Sequence, residues 1–505
     1  MSGQAAWAQD SASGASGPYP IHGRVLNANT GLPVWRALVR LNNHAMLTGH
    51  DGSFEFDGAT DASGTVLVSK PGFYPSTEWG FSPGLSVPRE ELSKPLELRL
   101  YPEAIFTGTV TASDGEPLPH VIVVARRSTF DDRGHHWIPV SQVQTNAHGQ
   151  FRLPVPAGDY RLATMYAPRL GGGNEAVLPV SVPADGVLTI KSGEQQNFDL
   201  HPAMGRTYKV KATFDSDVEG GFPRIVARSS SGLAIPMPVN ISRTDTRESV
   251  RMELPTGTYQ LMVTMLSRAG VEQGSTAVTV TNHDIDDLAL HLSPVPKLPV
   301  ELLVDDAATS DNAPPKLQQF GLTLENTNPD ADFFNSSIYL ATQRDQTAEF
   351  TVPPGTYRLR ARGSGGWYVK SAMYGATDLL QQDLVIAAGA GAAQIRVTVS
   401  DQVAALQGVC RANEGPVACW VYLVPSTPSA EPVYTVRSNL QGAFNLEHLP
   451  PGNYRAIAFE QRHQADYSDA ATLTPFAAHV KTVTLRVGEK PMLELDAVAT
   501  GEMNR

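Results

Sequence analysis

The sequence predicts an all-β chain, a tandem array of five β-sandwich domains. Three observations predict it. A Pro-x-Gly-x-Tyr signature recurs at nearly constant spacing, short alternating apolar and polar runs are punctuated by Asn, Asp, Gly and Pro, and long amphipathic helical periods are missing. Length agrees, because 505 residues exceed a single core at roughly 100 to 150 residues per domain.

The signature occurs as Pro156-Ala-Gly158-Asp-Tyr160, Pro255-Thr-Gly257-Thr-Tyr259, Pro353-Pro-Gly355-Thr-Tyr357 and Pro450-Pro-Gly452-Asn-Tyr454. Its glycines are 99, 98 and 97 residues apart, and a degenerate copy, Asp61-Ala-Ser-Gly64-Thr-Val66, stands 94 residues before the first of them. Proline ends a strand by removing a backbone donor, and glycine allows the turn that follows. Tyrosine then opens the next strand: Tyr357, Leu359 and Ala361 alternate with Arg358, Arg360 and Arg362, the period of a half-buried strand. Such a tyrosine is placed to bury its ring and return its hydroxyl to loop backbone, as in a tyrosine corner.

Just upstream in three units, a second turn precedes a phenylalanine: Asp51-Gly52-Ser-Phe54, Asn146-Ala-His-Gly149-Gln-Phe151 and Asn439-Leu-Gln-Gly442-Ala-Phe444. Further upstream lies a Gly-x-Val strand, a polar turn and a β-branched run, as in Gly108-Thr-Val110, Asp114-Gly115 and Val121-Ile-Val-Val124. The first unit repeats it with Gly23-Arg-Val25, Gly31-Leu-Pro33 and Ala37-Leu-Val39. The one hint of helix, Arg89 to Lys94, is stopped by Pro95.

These motifs, above all Gly108 to Pro119, Thr145 to Phe151 and Pro156 to Tyr160, resemble the carboxypeptidase regulatory-like domain, a transthyretin-like sandwich related to collagen-adhesin B-type repeats. The second and fifth units carry the resemblance best, and the first adds Ser69-Lys-Pro71-Gly72-Phe-Tyr74. The third and fourth keep mainly the Pro-x-Gly-x-Tyr turn and are assigned by spacing. The expected division is 1–18 as a residual signal or linker segment, then transthyretin-like or Ig-like sandwiches at 19–101, 102–201, 202–296, 297–402 and 403–500. The resemblance implies secreted or surface proteins in which such domains are stalks, accessory modules or polysaccharide contacts, with no catalysis of their own.

Composition narrows the partners. The net charge of -12 gives no footprint for gripping a phosphate backbone, so nucleic acid is excluded as a partner. The longest apolar stretch, Leu384 to Ala393, has 10 residues where a spanning helix needs about 20. At the N-terminus Ala6-Trp7-Ala8 has the small-x-small form of a cleavage site without the basic and apolar regions that precede one. A truncated signal peptide ending before Ala8-Gln9 is expected, and with it export to the periplasm, cell surface or medium.

Candidate chemistry is sparse. None of the 13 histidines has glutamate three residues on, as a zinc carboxypeptidase site needs, and there is no His-Glu-x-x-His helix. His135 and His136 fall in the long link Arg126 to Gln142; an irregular loop would let both reach one ion with Asp131 or Asp132, while a polar surface loop is the plainer reading. The acidic stretch Asp51 to Asp61 alternates as a strand and does not follow a calcium loop. Gly389-Ala-Gly391 and Gly363-Ser364-Gly365 lack the spacing of a nucleotide fingerprint and a nucleophile elbow, and read as turns. No cofactor and no catalytic residue is expected.

Tryptophans divide by context: Trp35 and Trp420 lie in predicted core strands, whereas Trp79, Trp137 and Trp367 lie in predicted loops and are the candidate ligand contacts. The two cysteines, Cys410 and Cys419, flank a turn symmetrically, as cross-strand neighbours able to form a disulfide. Entry of their strands into opposite sheets is the alternative geometry, and two free thiols the alternative state. The function expected is a non-catalytic exported scaffold or adhesion protein touching a cell-surface or extracellular polysaccharide or an envelope protein. A carbohydrate-binding protein and an accessory subunit of a secreted peptidase are the alternatives.

Overall fold

The computed structural model describes residues 19–499 and 502, apart from 42–43, 60–62, 76–83, 89–94, 132–133, 169–173, 216–221, 230–233, 237–239, 244–247, 267–269, 309–314, 328–336, 343–346, 388–392, 413–414, 427–432, 440 and 468. The cleavage-site motif, the Arg89 to Lys94 turn and Trp79 lie outside the described residues. The described chain is a tandem array of β-sandwiches whose ten sheets hold three to six strands each.

One strand plan recurs five times. In each sandwich the first strand pairs antiparallel with the strand that leads into the signature turn, and parallel with the last strand. In the second sandwich these are Ala104–Thr109, Gln150–Val155 and Gln195–Asn197. In the facing sheet, a strand from the other half of the unit pairs antiparallel with the strand that leaves the turn, Ile122–Asp131 with Gly158–Thr164 here. Apolar residues on the inner faces close the core, among them Phe106, Val123, Leu153 and Leu162 of the second sandwich and Leu298, Phe350, Leu359 and Val397 of the fourth, all at most 1% exposed.

The chain divides into two compact units. The first comprises the residues up to Arg127, Pro139–Thr164 and Val180–Pro202, and holds the first two sandwiches' cores. The second comprises Ser128–Ile138, Met165–Pro179 and everything from Ala203. Within the second unit, the hairpin Ala167–Pro168 and Glu175–Val177 joins the sheet of Met204–Asp215, and Tyr166 and Ala176 enter the core built on that sheet.

The signatures turn out to be contacts. Tyr160, Tyr357 and Tyr454 each donate their hydroxyl to the carbonyl of the signature proline, Pro156, Pro353 and Pro450, at 2.8, 2.9 and 2.7 Å. At Gly355 the ring lies close over the glycine, where a Cβ would stand 3.2 Å from the Tyr357 ring and hydroxyl, whereas at Gly158 the Arg127 guanidinium fills that space. Buried hydroxyls brace the crossover between sheets. Thr48 accepts from the Ala37 amide and donates to the Val34 carbonyl, Thr145 does the same for Val121 and Leu118, and Ser438 accepts from Cys419.

Two expectations change. The Arg126 to Gln142 link is no irregular loop but a long hairpin, Ile122–Asp131 and Gly134–Gln144, because its alternating residues extend the sheet. Cys410 and Cys419 are bridged, with Cα atoms 6.4 Å apart, within the span a disulfide accepts. The alternative geometry holds, since Cys410 lies in Ala404–Ala412 and Cys419 directly precedes Trp420–Pro425 of the facing sheet. The bridge therefore ties the two layers of the fifth sandwich.

Candidate binding cleft

The strand Trp420–Pro425 is buried on both faces. Val421 and Leu423 enter the inter-sheet core with Ala456 and Ala458, while Tyr422 and Val424 face outward with Ile457 and Phe459 into a second apolar cluster. An apolar run needs a cover on each side. Here the outer cover comes from the segment after Phe459, which contains a 3-10 turn at Ala470–Phe476 whose first amides are capped by Asp469. Tyr467, Leu473 and Phe476 of that segment complete the cluster.

Aromatic stacking and hydrogen bonds fix this cover. The Tyr422 hydroxyl donates to the His463 carbonyl at 2.9 Å and accepts from the His463 amide at 3.0 Å. Its ring stacks on Tyr467 at 4.8 Å, and His463 stacks on Phe459 at 4.4 Å. The Tyr467 hydroxyl meets His463 Nδ1 at 2.8 Å. Burial lowers the basicity of His463 and raises the Tyr467 phenol, so both stay neutral near pH 7. The result is a preorganised polar and aromatic shelf.

The fourth sandwich supplies another wall. Ser364 and Trp367 exchange both backbone hydrogen bonds, at 2.8 and 2.9 Å, across Gly365 and Gly366 at φ 57° and 85°. Positive φ at both central residues is the two-residue hairpin turn that glycine favours. Tyr368 follows, half-buried, and Arg362 precedes it, exposed. Tyr434 and Thr435 of Tyr434–Arg437 and His448 of Ala443–Leu449 line the rim, with Phe130 from Ile122–Asp131. His448 holds φ 58°, and its ring stands 3.8 Å from where a Cβ on Gly366 would lie. Together these residues line a half-open cleft of about 710 Å³, inside the roughly 300 to 1,000 Å³ of small-molecule sites.

The tryptophans are redistributed. Trp367 lines the cleft but is 4% exposed and belongs to the fourth sandwich's core, so it offers no open stacking face. The correction has a simple cause: the tight glycine turn returns the chain inward at Trp367. Trp137 is half-buried on the strand Gly134–Gln144, edge-on to His135 at 5.1 Å, and does not line the cleft. Trp35, expected in the core, is 46% exposed because Trp35 and Arg36 form a turn before the strand Leu38–Leu41 begins; its ring stacks on His50 at 4.4 Å. Trp420 is half-buried beside the outer cluster, with the Arg462 guanidinium 5.5 Å from its ring.

His135 and His136 sit in a regular strand, where adjacent side chains point apart, and His135 Nε2 meets the Ser128 hydroxyl at 2.8 Å. Among the described residues, no group of three or more His, Cys, Asp or Glu side chains is placed to hold a metal ion. Sequence reasoning missed Tyr368, Tyr422, Tyr434, His463 and Tyr467 as one group. The signal available was the run Trp420-Val-Tyr-Leu-Val424, too apolar for a strand with one face in water.

No family model matches the chain, and no curated protein matches it. Among solved structures, it is similar to the Bacillus anthracis TIE protein, with 12% identity, 77% of this chain and 69% of that one covered and a TM-score of 0.17. It is also similar to a Streptococcal ancillary pilin, with 10% identity, 58% and 99% covered and a TM-score of 0.18. The major pilin subunit of Bacillus cereus aligns over 78% of this chain and 100% of its own, with 8% identity and a TM-score of 0.14.

Proposed function

We propose that the chain is an exported, non-catalytic scaffold or adhesion protein built from carboxypeptidase regulatory-like repeats. The observation that carries the reading is the strand plan: five sandwiches with one connectivity, three of them with the same first-strand glycine, Gly-x-Phe and buried-hydroxyl contacts. Repetition of one small module suits a protein whose task is to span and present. The bridge between Cys410 and Cys419 supports an oxidising compartment, where such bonds persist.

The carbohydrate-binding alternative draws on a specific observation, the aromatic cleft of the second unit. The accessory-subunit alternative would show itself as a peptidase that copurifies with the chain. The scaffold reading is tested by expressing the protein from its native locus and fractionating the cells. Protein in the envelope or medium with both cysteines bridged is expected. Protein confined to the cytoplasm with two titratable thiols would refute the reading.

A further inference from the structure

We infer that the cleft between the Ser364 to Trp367 turn and the His463 shelf is a binding site for a short neutral oligosaccharide. The inference rests on the carbohydrate-binding reading and moves its location, away from Trp79 and Trp137 and onto a tyrosine- and histidine-rich wall.

Three properties of the cleft select the ligand. The first is its surface chemistry, in which the half-buried aromatic rings of Phe130 and Tyr368 stand among planar or hydroxylated polar groups. A pyranose ring has the matching composition, apolar on its C–H faces and ringed by hydroxyls, whereas a purely apolar ligand would strand the polar groups. The second is rigidity. Tyr422 and His463 are locked by reciprocal hydrogen bonds and stacking, so little side-chain entropy is lost on binding.

The third is charge. Arg362 and Arg462 line the cleft, but so does Glu447, itself hydrogen-bonded by Asn445 Nδ2 at 2.8 Å, and Asp466 acts electrostatically on nearby Arg358. The lining holds two guanidiniums and one carboxylate, Glu447, which also pairs with Lys490 at 3.6 Å, so an acidic sugar is the competing ligand; the net charge of -12 opposes a polyanion at long range and favours the neutral one. His463, neutral near pH 7 by burial, adds a hydrogen-bonding ring without charge. Arginine and glutamate then serve as hydroxyl ligands, donor and acceptor, around an uncharged sugar.

Calorimetric titration of the full chain tests the assignment, using cello-, xylo-, laminari- and chito-oligosaccharides, with oligogalacturonate as the charged counterpart. Saturable binding of one neutral series at one site per chain is expected. Tyr368→Ala should weaken it about tenfold or more. Thr435→Trp, at an exposed strand position on the rim, should abolish it by filling the cleft while leaving the thermal midpoint unchanged, and Trp137→Ala should bind like the parent. No binding of any neutral series, binding of oligogalacturonate alone, or undiminished binding by Thr435→Trp would overturn the assignment. Each of those outcomes leaves the fractionation and thiol results untouched, so failure here is distinguishable from failure of the scaffold reading.

Discussion

A Cβ placed on Gly408 would stand 2.4 Å from the ring of Phe444 and 2.0 Å from the carbonyl oxygen of Leu493. The same triangle joins Gly108 to Phe151 and Phe198, and Gly23 to Phe54 and Leu96. Two signatures that are separate in sequence are thus one contact: the glycine of the first strand, which opens Gly-x-Val at Gly23 and Gly108 and Gly-x-Cys at Gly408, is the floor on which the phenylalanine of the later turn lies. The near carbonyl belongs to the parallel last strand, so a methyl group cannot be absorbed by a side-chain rotation. Gly408→Ala should destabilise the fifth sandwich by about 3 kcal/mol or more, at or above the usual cost of overpacking. Denaturant unfolding checks it, with the fifth sandwich's transition shifting and the others holding.

The tyrosine corner allows a smaller, cleaner change. Removing the Tyr454 hydroxyl leaves the buried Pro450 carbonyl without its donor at 2.7 Å, while the ring keeps its place. Tyr454→Phe should cost about 1 to 3 kcal/mol, the price of an unsatisfied buried acceptor. Urea unfolding of this variant beside Tyr160→Phe should show losses of similar size in two different transitions.

Burial raises the phenols of Tyr357 and Tyr166 to about 12. In the unfolded chain a tyrosine titrates near 10. The neutral phenol is the form the fold favours, so this contribution is whole below about pH 10 and is lost as pH rises through about 12. Alkaline titration followed by phenolate absorbance should therefore show exposed tyrosines ionising first and the buried ones only together with loss of near-UV dichroism. Ionisation of all tyrosines in one step near pH 10, with the fold intact, would contradict it.

Residues 102–201, expressed alone, should unfold cooperatively as one sandwich, since about 100 residues close a core of this kind. The hairpin at Glu175–Val177 is the exception, because its sheet partner is Met204–Asp215 and Tyr166 donates its hydroxyl to the Glu253 carbonyl at 3.0 Å. Amide exchange should be fast at Ala176 and Val177 in the fragment and slow in the full chain. A molten fragment would argue against the division of the chain into sandwiches at these residues.

Much of the fold was legible because its determinants are local. Proline, glycine and tyrosine within five residues specify a turn, a buried ring and the next strand, and the spacing of four such turns spaces the domains. The cysteine pair was legible for the same reason, although hairpin symmetry pointed to neighbouring strands and the chain instead crosses to the facing sheet between Ala412 and Trp420. The cleft was not legible. Its walls come from residues near 130, 364, 422, 434, 448 and 463, whose proximity follows from tertiary packing and leaves no periodicity behind. Trp35 and Trp367 were misjudged together, because a β-branched neighbourhood suggested a core strand for one and flanking glycines a loop for the other. A tight turn decided both, turning Trp35 out and Trp367 in.

The parallel pairing of first and last strands has a mechanical consequence. In each sandwich the chain enters at one end of that pair and leaves at the other, as from Gly23 to Leu100 in the first and from Gln407 to Asp496 in the fifth. A pull on the two ends of such a module drags adjacent strands past one another along their length. The load is shared by all the hydrogen bonds of the pair at once, where a hairpin pulled from its open end would unzip one bond at a time. Each module is thereby built to carry tension, and the disulfide from Cys410 to Cys419 fastens the loaded strand of the fifth to its opposite layer.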